Sequence, residues 1–184
     1  MPKPNQGQGD SGKSQLFGSG KKFSKDAPQF EALGALDELN TFIGYTRSIC
    51  GQKEISSILE NIQNDIFTCQ ANLALEPDYK TDYIPEFKKE RIKWLEEKIL
   101  KYEKKLPELK NFILPGGTET ASLMHICRAK TRTAERKIVK LSKKEKVDPI
   151  VQAYINRLSD VFFIFARYIN LKSGRQDTIW KSKS

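Results

Sequence analysis

No apolar run in this chain approaches the roughly 20 residues a helix needs to cross a bilayer. Its N-terminus also lacks the apolar centre of a secretory leader, so a cytoplasmic protein with no membrane partner is expected. Cysteine is scarce: Cys50, Cys69 and Cys127 form an odd count of 3 with no CxxC pair. That excludes a disulfide framework and leaves a zinc site unsupported, buried thiols being the ordinary reading. The single histidine, His125, precedes Cys127 by two positions and reads as structural rather than as a metal ligand or base. No alternation of strands and helices is visible, which excludes a doubly wound parallel sheet. Proline and glycine, at 8 and 11 residues, are too few for a low-complexity chain.

What is present is length for one well-filled core in 184 residues, with 30% charged and a formal net charge of +9. Such a charge points to an anionic partner, whether nucleic acid, a membrane surface or a phosphorylated small molecule. Most of the excess lies in Lys88-Lys89, Lys104-Lys105, Lys143-Lys144-Glu145-Lys146, Lys181 and Lys183, which read as loops and solvated helix faces. No basic strand interleaved with aromatics appears, so nucleic acid is not expected among the partners.

Residues 1–28 are rich in Gly, Ser, Lys and Gln without periodicity, which predicts an arm that is flexible unless a ligand orders it. Helical spacing then takes over in Ala32, Leu36, Leu39 and Ile43, in Ile55, Ile58, Leu59, Ile62 and Ile66, and in Trp94, Leu95, Ile99, Tyr102 and Leu106. A fourth helix is predicted over 118–141. A fifth is predicted over 148–171, with Asp148 as N-cap, Pro149 at the first helical position and Gly174 past the end. Five helices with one longer connection from Glu76 to Pro85 make an all-α, up-down bundle over 29–176, followed by a basic tail, 177–184.

Gly7 to Ser14 match G-x-x-x-x-G-K-[ST], a pattern whose backbone N–H groups, lysine and hydroxyl cradle phosphates. That geometry needs a buried strand before it and a helix after it. Neither flank fits, so the segment is expected to hold phosphate in another architecture. On the fourth helix Met124, Cys127, Thr131, Ala134, Ile138 and Leu141 form an apolar stripe, with Lys130, Lys137 and Lys140 on the opposite face. Between them run Arg128, Arg132, Glu135 and Arg136. Arginine offers a planar fork suited to phosphate or carboxylate, although an ion-pair network between helices would use the same residues.

On the fifth helix Val151, Ile155, Leu158, Phe162, Phe165 and Ile169 are the apolar face, while Gln152, Asn156, Asp160 and Arg167 align as a polar one. Asn156 can bond a sugar, a base edge or a neighbouring side chain. Glu135 reads first as a partner for Arg, and so does Asp37 on the first helix. Lys25-Asp26 precedes that helix, where the positive end of the macrodipole favours anions. Phe112, in the loop Asn111 to Gly117, reads from the residues alone as core packing.

The chain resembles the PduO-type ATP:cob(I)alamin adenosyltransferases. The likeness runs through Gly9-Asp10-Ser11-Gly12, Lys25-Asp26, the stretch from Glu31 to Asn40, Phe112-Ile113-Leu114-Pro115-Gly116-Gly117, Arg128 to Arg136, and Asn156-Arg157-Leu158-Ser159-Asp160. It implies a homotrimeric five-helix bundle that transfers the 5′-deoxyadenosyl group of ATP to the cobalt of cob(I)alamin and releases triphosphate. ATP would lie between subunits, with Mg²⁺ carried on its phosphates without a protein cage and cobalamin beside it. A corrinoid reductase and an adenosylcobalamin-dependent acceptor enzyme would be further partners.

By the same resemblance Gln6, Gly7, Gln8, Gly9, Lys13, Ser14 and Gln15 would wrap the phosphates with Lys25. Arg132, Glu135, Arg136 and Asn156 would bind the nucleotide. Asp37 and Arg128 would pair across a subunit boundary, and Phe112 would be the apolar wedge that displaces the lower axial base, leaving four-coordinate cobalt. Gln6 and Gln8 stand where the family commonly has Thr, Lys13 replaces a small residue, and Thr133 replaces an Arg. These departures also motivate a second reading, a non-catalytic relative that binds ATP or cobalamin as sensor or carrier.

Overall fold

A computed structural model describes residues 9–76, 79 and 81–182. Five helices dominate: α1 Pro28–Ser48, α2 Lys53–Leu73, α3 Glu90–Glu103, α4 Glu119–Ser142 and α5 Pro149–Lys172. Their ends follow local chemistry. Pro28 and Pro149 occupy first turns, where a missing N–H costs nothing. The Asp148 carboxylate accepts from Ile150 N–H at 2.8 Å, and the Thr118 hydroxyl accepts from Ala121 N–H at 3.2 Å. Gly174, at φ +70°, closes the fifth helix in a conformation that side chains disfavour. Leu106, assigned to the third helical stripe by spacing, lies beyond the end of α3 and is still packed on the core.

Cross-helix pairs give the directions. Glu31 bonds Lys137 at 2.7 Å and Glu38 bonds Lys130 at 2.5 Å, so α1 and α4 are antiparallel. Arg47 with Glu60 sets α2 against α1, and Glu96 with Arg157 followed by Tyr102 against Phe165 sets α3 alongside α5 in the same direction. The result is an up-down bundle in which α4 lies between α1 and α5, and α3 covers α5. Lys130 and Lys137 therefore reach across to carboxylates of α1 rather than standing free on a solvated face.

The apolar stripes predicted on α4 and α5 are buried, and α5 is buried on nearly all sides, with Tyr154, Phe162 and Phe165 fully enclosed. Each such side chain contributes on the order of 1.5–3 kcal/mol by leaving water. Charged groups also penetrate this core. The Arg91 guanidinium meets the Asp65 carboxylate at 2.6 Å, and the Tyr154 hydroxyl donates to the same carboxylate at 2.6 Å, so the buried charge is paired and hydrogen-bonded. Arg167 corrects its assignment to a polar stripe: it is 5% exposed, bonded to Asp177 at 2.7 Å and to the Pro107 carbonyl at 2.9 Å.

The arm before α1 is more ordered than its composition suggests. Strands β1 Lys13–Gln15 and β2 Lys22–Ser24 form an antiparallel hairpin with Lys13 opposite Ser24. Leu16 inserts into the core, while Phe17 exchanges backbone hydrogen bonds with Ala74 and Glu76 after α2. The hairpin thus joins the start of α1 and the end of α2. At the opposite end of the bundle, Leu114 N–H donates to Thr178 O and Trp180 N–H donates to Phe112 O, both at 2.8 Å. The chain beyond 176 is therefore fastened to the Phe112 loop through residues 178–180.

Candidate functional site

A continuous polar path runs along the outer seam of α4 and α5. Arg128, Arg132 and Arg136 succeed one another at four-residue intervals, about 6 Å apart along the axis. Arg132 and Arg136 are exposed, and Arg136 donates to the Thr133 hydroxyl at 3.1 Å. Asn156 donates from Nδ2 to the Glu135 carboxylate at 2.6 Å. These two residues, with Gln152 and Val139, line a hollow of about 250 Å³. The pairing leaves both arginines without a carboxylate among the described residues. Their guanidinium forks remain available to an external anion.

At the Phe112 end of this path lies a smaller hollow, about 170 Å³, lined by Leu109, Phe112, Pro115, His125, Arg128 and Phe163. Phe112 is 81% exposed, so the reading as core packing is corrected: the ring stands out from the loop. Among the described residues the buried Nε of Arg128 has no acceptor and the buried Nδ1 of His125 has no partner. Burial pushes the His125 pKa down, the neighbouring Arg128 adds to this, and Asp177 opposes it. The imidazole is thus biased toward its neutral form. Burial likewise pushes the Cys127 thiol up to about 11, which keeps it protonated.

The hairpin makes a second polar group. Gly12, at φ +70°, turns the chain so that its N–H donates to Gly9 O at 3.2 Å and its carbonyl accepts from Lys25 N–H at 2.9 Å. The Lys25 ammonium then lies 2.8 Å from where a Gly9 Cβ would be, so Gly9 and Lys25 are brought together. Strand alternation places Lys13 and Gln15 on one face and Ser14 on the other. Lysine and serine diverge instead of facing one phosphate, and they lie within a strand where a P-loop would start a helix. Gln15 bonds the Ser19 carbonyl through its amide. Gln6, Gly7 and Gln8 lie outside the described residues.

Among the described residues, no hydrogen bond or ion pair joins this hairpin to the α4–α5 path. Nor does Asp37, exposed on α1, meet Arg128.

The family model described as cobalamin adenosyltransferase matches residues 5–169. The chain belongs to the cobalamin adenosyltransferase family. It is 42% identical over 173 residues to the corrinoid adenosyltransferase of Bacillus subtilis (strain 168), spanning 92% of this chain and 87% of that one. It is 36% identical over 190 residues to the corrinoid adenosyltransferase of Homo sapiens, spanning 98% and 74% of the two chains. A variant of the PduO-type ATP:corrinoid adenosyltransferase from Lactobacillus reuteri, complexed with cobalamin and ATP, shares the fold with a TM-score of 0.90 at 38% identity, covering 99% of this chain and 98% of that one.

In this cobalamin adenosyltransferase family member, several residues that shape the site escaped the sequence patterns. Asn170, Arg175 and the backbone of Trp180 fasten the loop carrying Phe112, and Asp177, bonded to Arg167, anchors the segment between Arg175 and Trp180. Asn170 had one visible signal, a polar residue inside the apolar run Tyr168 to Leu171. Among the described residues no cluster of three His, Cys, Asp or Glu forms a cage for a metal ion, and Glu135 on the α4–α5 path is already bonded to Asn156.

Proposed function

We propose that the α4–α5 path is where ATP is held for transfer of its 5′-deoxyadenosyl group to the cobalt of cob(I)alamin. The chain is an ATP:corrinoid adenosyltransferase. The observation that supports this placement is the continuity of two arginines free of carboxylates, the Glu135–Asn156 pair and the Phe112 hollow along one seam. An anionic nucleotide and an apolar macrocycle need those two surfaces side by side.

Reduced cobalt is itself the nucleophile, so no protein nucleophile is required. The cobalt electron pair forms the Co–C5′ bond, the C5′–O bond breaks, and triphosphate leaves with that bond's electrons. The chain must align C5′ and stabilise negative charge on the leaving group. Arg132 and Arg136 supply fixed donors for that charge, Lys25 beside Gly9 adds a point charge, and Asn156 orients the nucleoside. A magnesium ion carried on the phosphates would add positive charge there, with Arg132, Arg136 and Lys25 holding the phosphates beside it.

The hairpin and the helix path belong to one site when they come from neighbouring subunits. Arg128, with its unsatisfied Nε, is completed by Asp37 of the next subunit, and three copies close the ring. Phe112 serves as the wedge below the corrinoid. The buried Nε of Arg128, without an acceptor among the described residues, and the exposed ring of Phe112 both support this assembly.

The test is anaerobic mixing of the protein with ATP, Mg²⁺ and chemically reduced cobalamin, following the absorption of a light-sensitive Co–C product. The account predicts stoichiometric product with the intact chain and near-complete loss in Arg132→Ala at unchanged helicity. Binding of ATP and corrinoid without a Co–C bond would establish a carrier instead.

A further inference from the structure

Asn170 has its whole carboxamide engaged on the turn between Phe112 and α4. Nδ2 donates to Gly116 O at 3.0 Å, and Oδ1 accepts from Thr118 N–H at 3.0 Å. The side chain occupies space that a residue larger than glycine would need: a Cβ on Gly117, whose φ is +119°, would fall 2.1 Å from Oδ1. Arg175 adds a bond from its guanidinium to Gly117 O at 3.2 Å, and its N–H donates to Asn170 O at 2.9 Å. Past Asp177, anchored on Arg167, Trp180 N–H holds Phe112 O at 2.8 Å.

We propose that Asn170 and the backbone of Trp180 are positioning groups for Phe112, fixing the loop from its two sides so that the ring acts as a rigid wedge. This rests on the adenosyl-transfer reading above. Most of the Phe112 ring is exposed, so little side-chain packing restrains it and its place is set through the main chain. A wedge that displaces a ligand must resist being pushed back, and a loop free to shift would yield. Asn170 touches no reactant. It acts through the Gly116–Thr118 turn, which also sets the start of the helix bearing Arg128 and Arg132.

Asn170→Asp keeps the acceptor for Thr118 and turns the donor into an oxygen facing Gly116 O. Trp180→Pro removes the N–H that holds Phe112 along with the indole and fixes φ at that residue, and Trp180→Ala, which loses the indole but retains the N–H, is the control for the side chain. Each full-length variant is mixed with ATP and cob(II)alamin, and the fraction of four-coordinate cobalt is read by electron paramagnetic resonance. The kcat and the KM for ATP are measured alongside. The expected result is a severalfold smaller four-coordinate fraction and kcat lower by up to about 10²-fold in Asn170→Asp and Trp180→Pro. The KM for ATP stays near the original value, and Trp180→Ala behaves as the unaltered chain. Should Asn170→Asp not fold, Trp180→Pro at an exposed position carries the same readout. Wild-type four-coordinate fractions in the folded variants would overturn the positioning role alone. Absence of four-coordinate cobalt in the unaltered chain would instead overturn the wedge reading on which it rests.

Discussion

Asn156 on α5 donates to Glu135 on α4 at 2.6 Å, placing a neutral amide and a carboxylate beside Arg132 and Arg136. The pair keeps Glu135 off the arginines and orients Asn156 toward the seam. Asn156→Ala is predicted to raise the KM for ATP roughly tenfold, the scale of one well-formed hydrogen bond. Because the residue is exposed, the melting temperature should move little. Steady-state kinetics with ATP and corrinoid varied separately checks this, and a rise confined to the corrinoid KM would contradict the nucleotide assignment.

Lys13 lies on the face of the hairpin opposite Ser14, so it does not stand in for a P-loop lysine. It can still supply the charge that its small counterparts in the family lack. Lys13→Ala is predicted to raise the ATP requirement more than the corrinoid requirement. Equal changes in both, or none, would remove Lys13 from the site.

Asp37 and Arg128 have no partner for each other within one chain among the described residues. Asp37→Arg should place like charges across the proposed subunit boundary and shift sedimentation from trimer toward monomer. Combining it with Arg128→Asp should restore the trimer by exchanging the charges. A chain that is monomeric before any substitution would contradict the shared site.

His125 links stability to pH. Its native pKa is held below the ordinary 6.5 by burial first and by Arg128 second. The unfolded state therefore takes up the proton before the native state does. The corresponding stability is full above about pH 6.5 and is lost as pH falls from there toward the depressed native value. Denaturant titrations of the protein and of His125→Gln across that window should show a shallower pH slope in the variant. Identical slopes would mean that another group carries the dependence.

Much of the bundle was legible because burial imposes a 3.6-residue period. Every position assigned to the apolar stripe of α4, from Met124 to Leu141, is buried, and Asp148 caps α5 as expected, while Thr118, expected as the first residue of the fourth helix, is its N-cap. The hairpin was not legible. Its strands are three residues each, too short for alternation to emerge from a Gly- and Lys-rich background, and tertiary contacts of Leu16 and Phe17 hold it. Arg167 misled because its helical angle placed it among polar residues, while its partners, Asp177 and the Pro107 carbonyl, are distant in sequence. The arginine stripe was visible as a stripe, but the pairing of Lys130 and Lys137 with α1 depends on which helix lies alongside. That neighbour is a property of topology rather than of local spacing.

The central claim is that the triphosphate leaves whole. Phosphorus NMR of the products, with Co–C bond formation followed by absorption in the same anaerobic sample, tests it most directly. One intact triphosphate per adenosylated cobalt is the predicted result. Orthophosphate with ADP, formed in place of the Co–C bond, would contradict the account and return Gly7 to Ser14 to ordinary phosphate-bond cleavage.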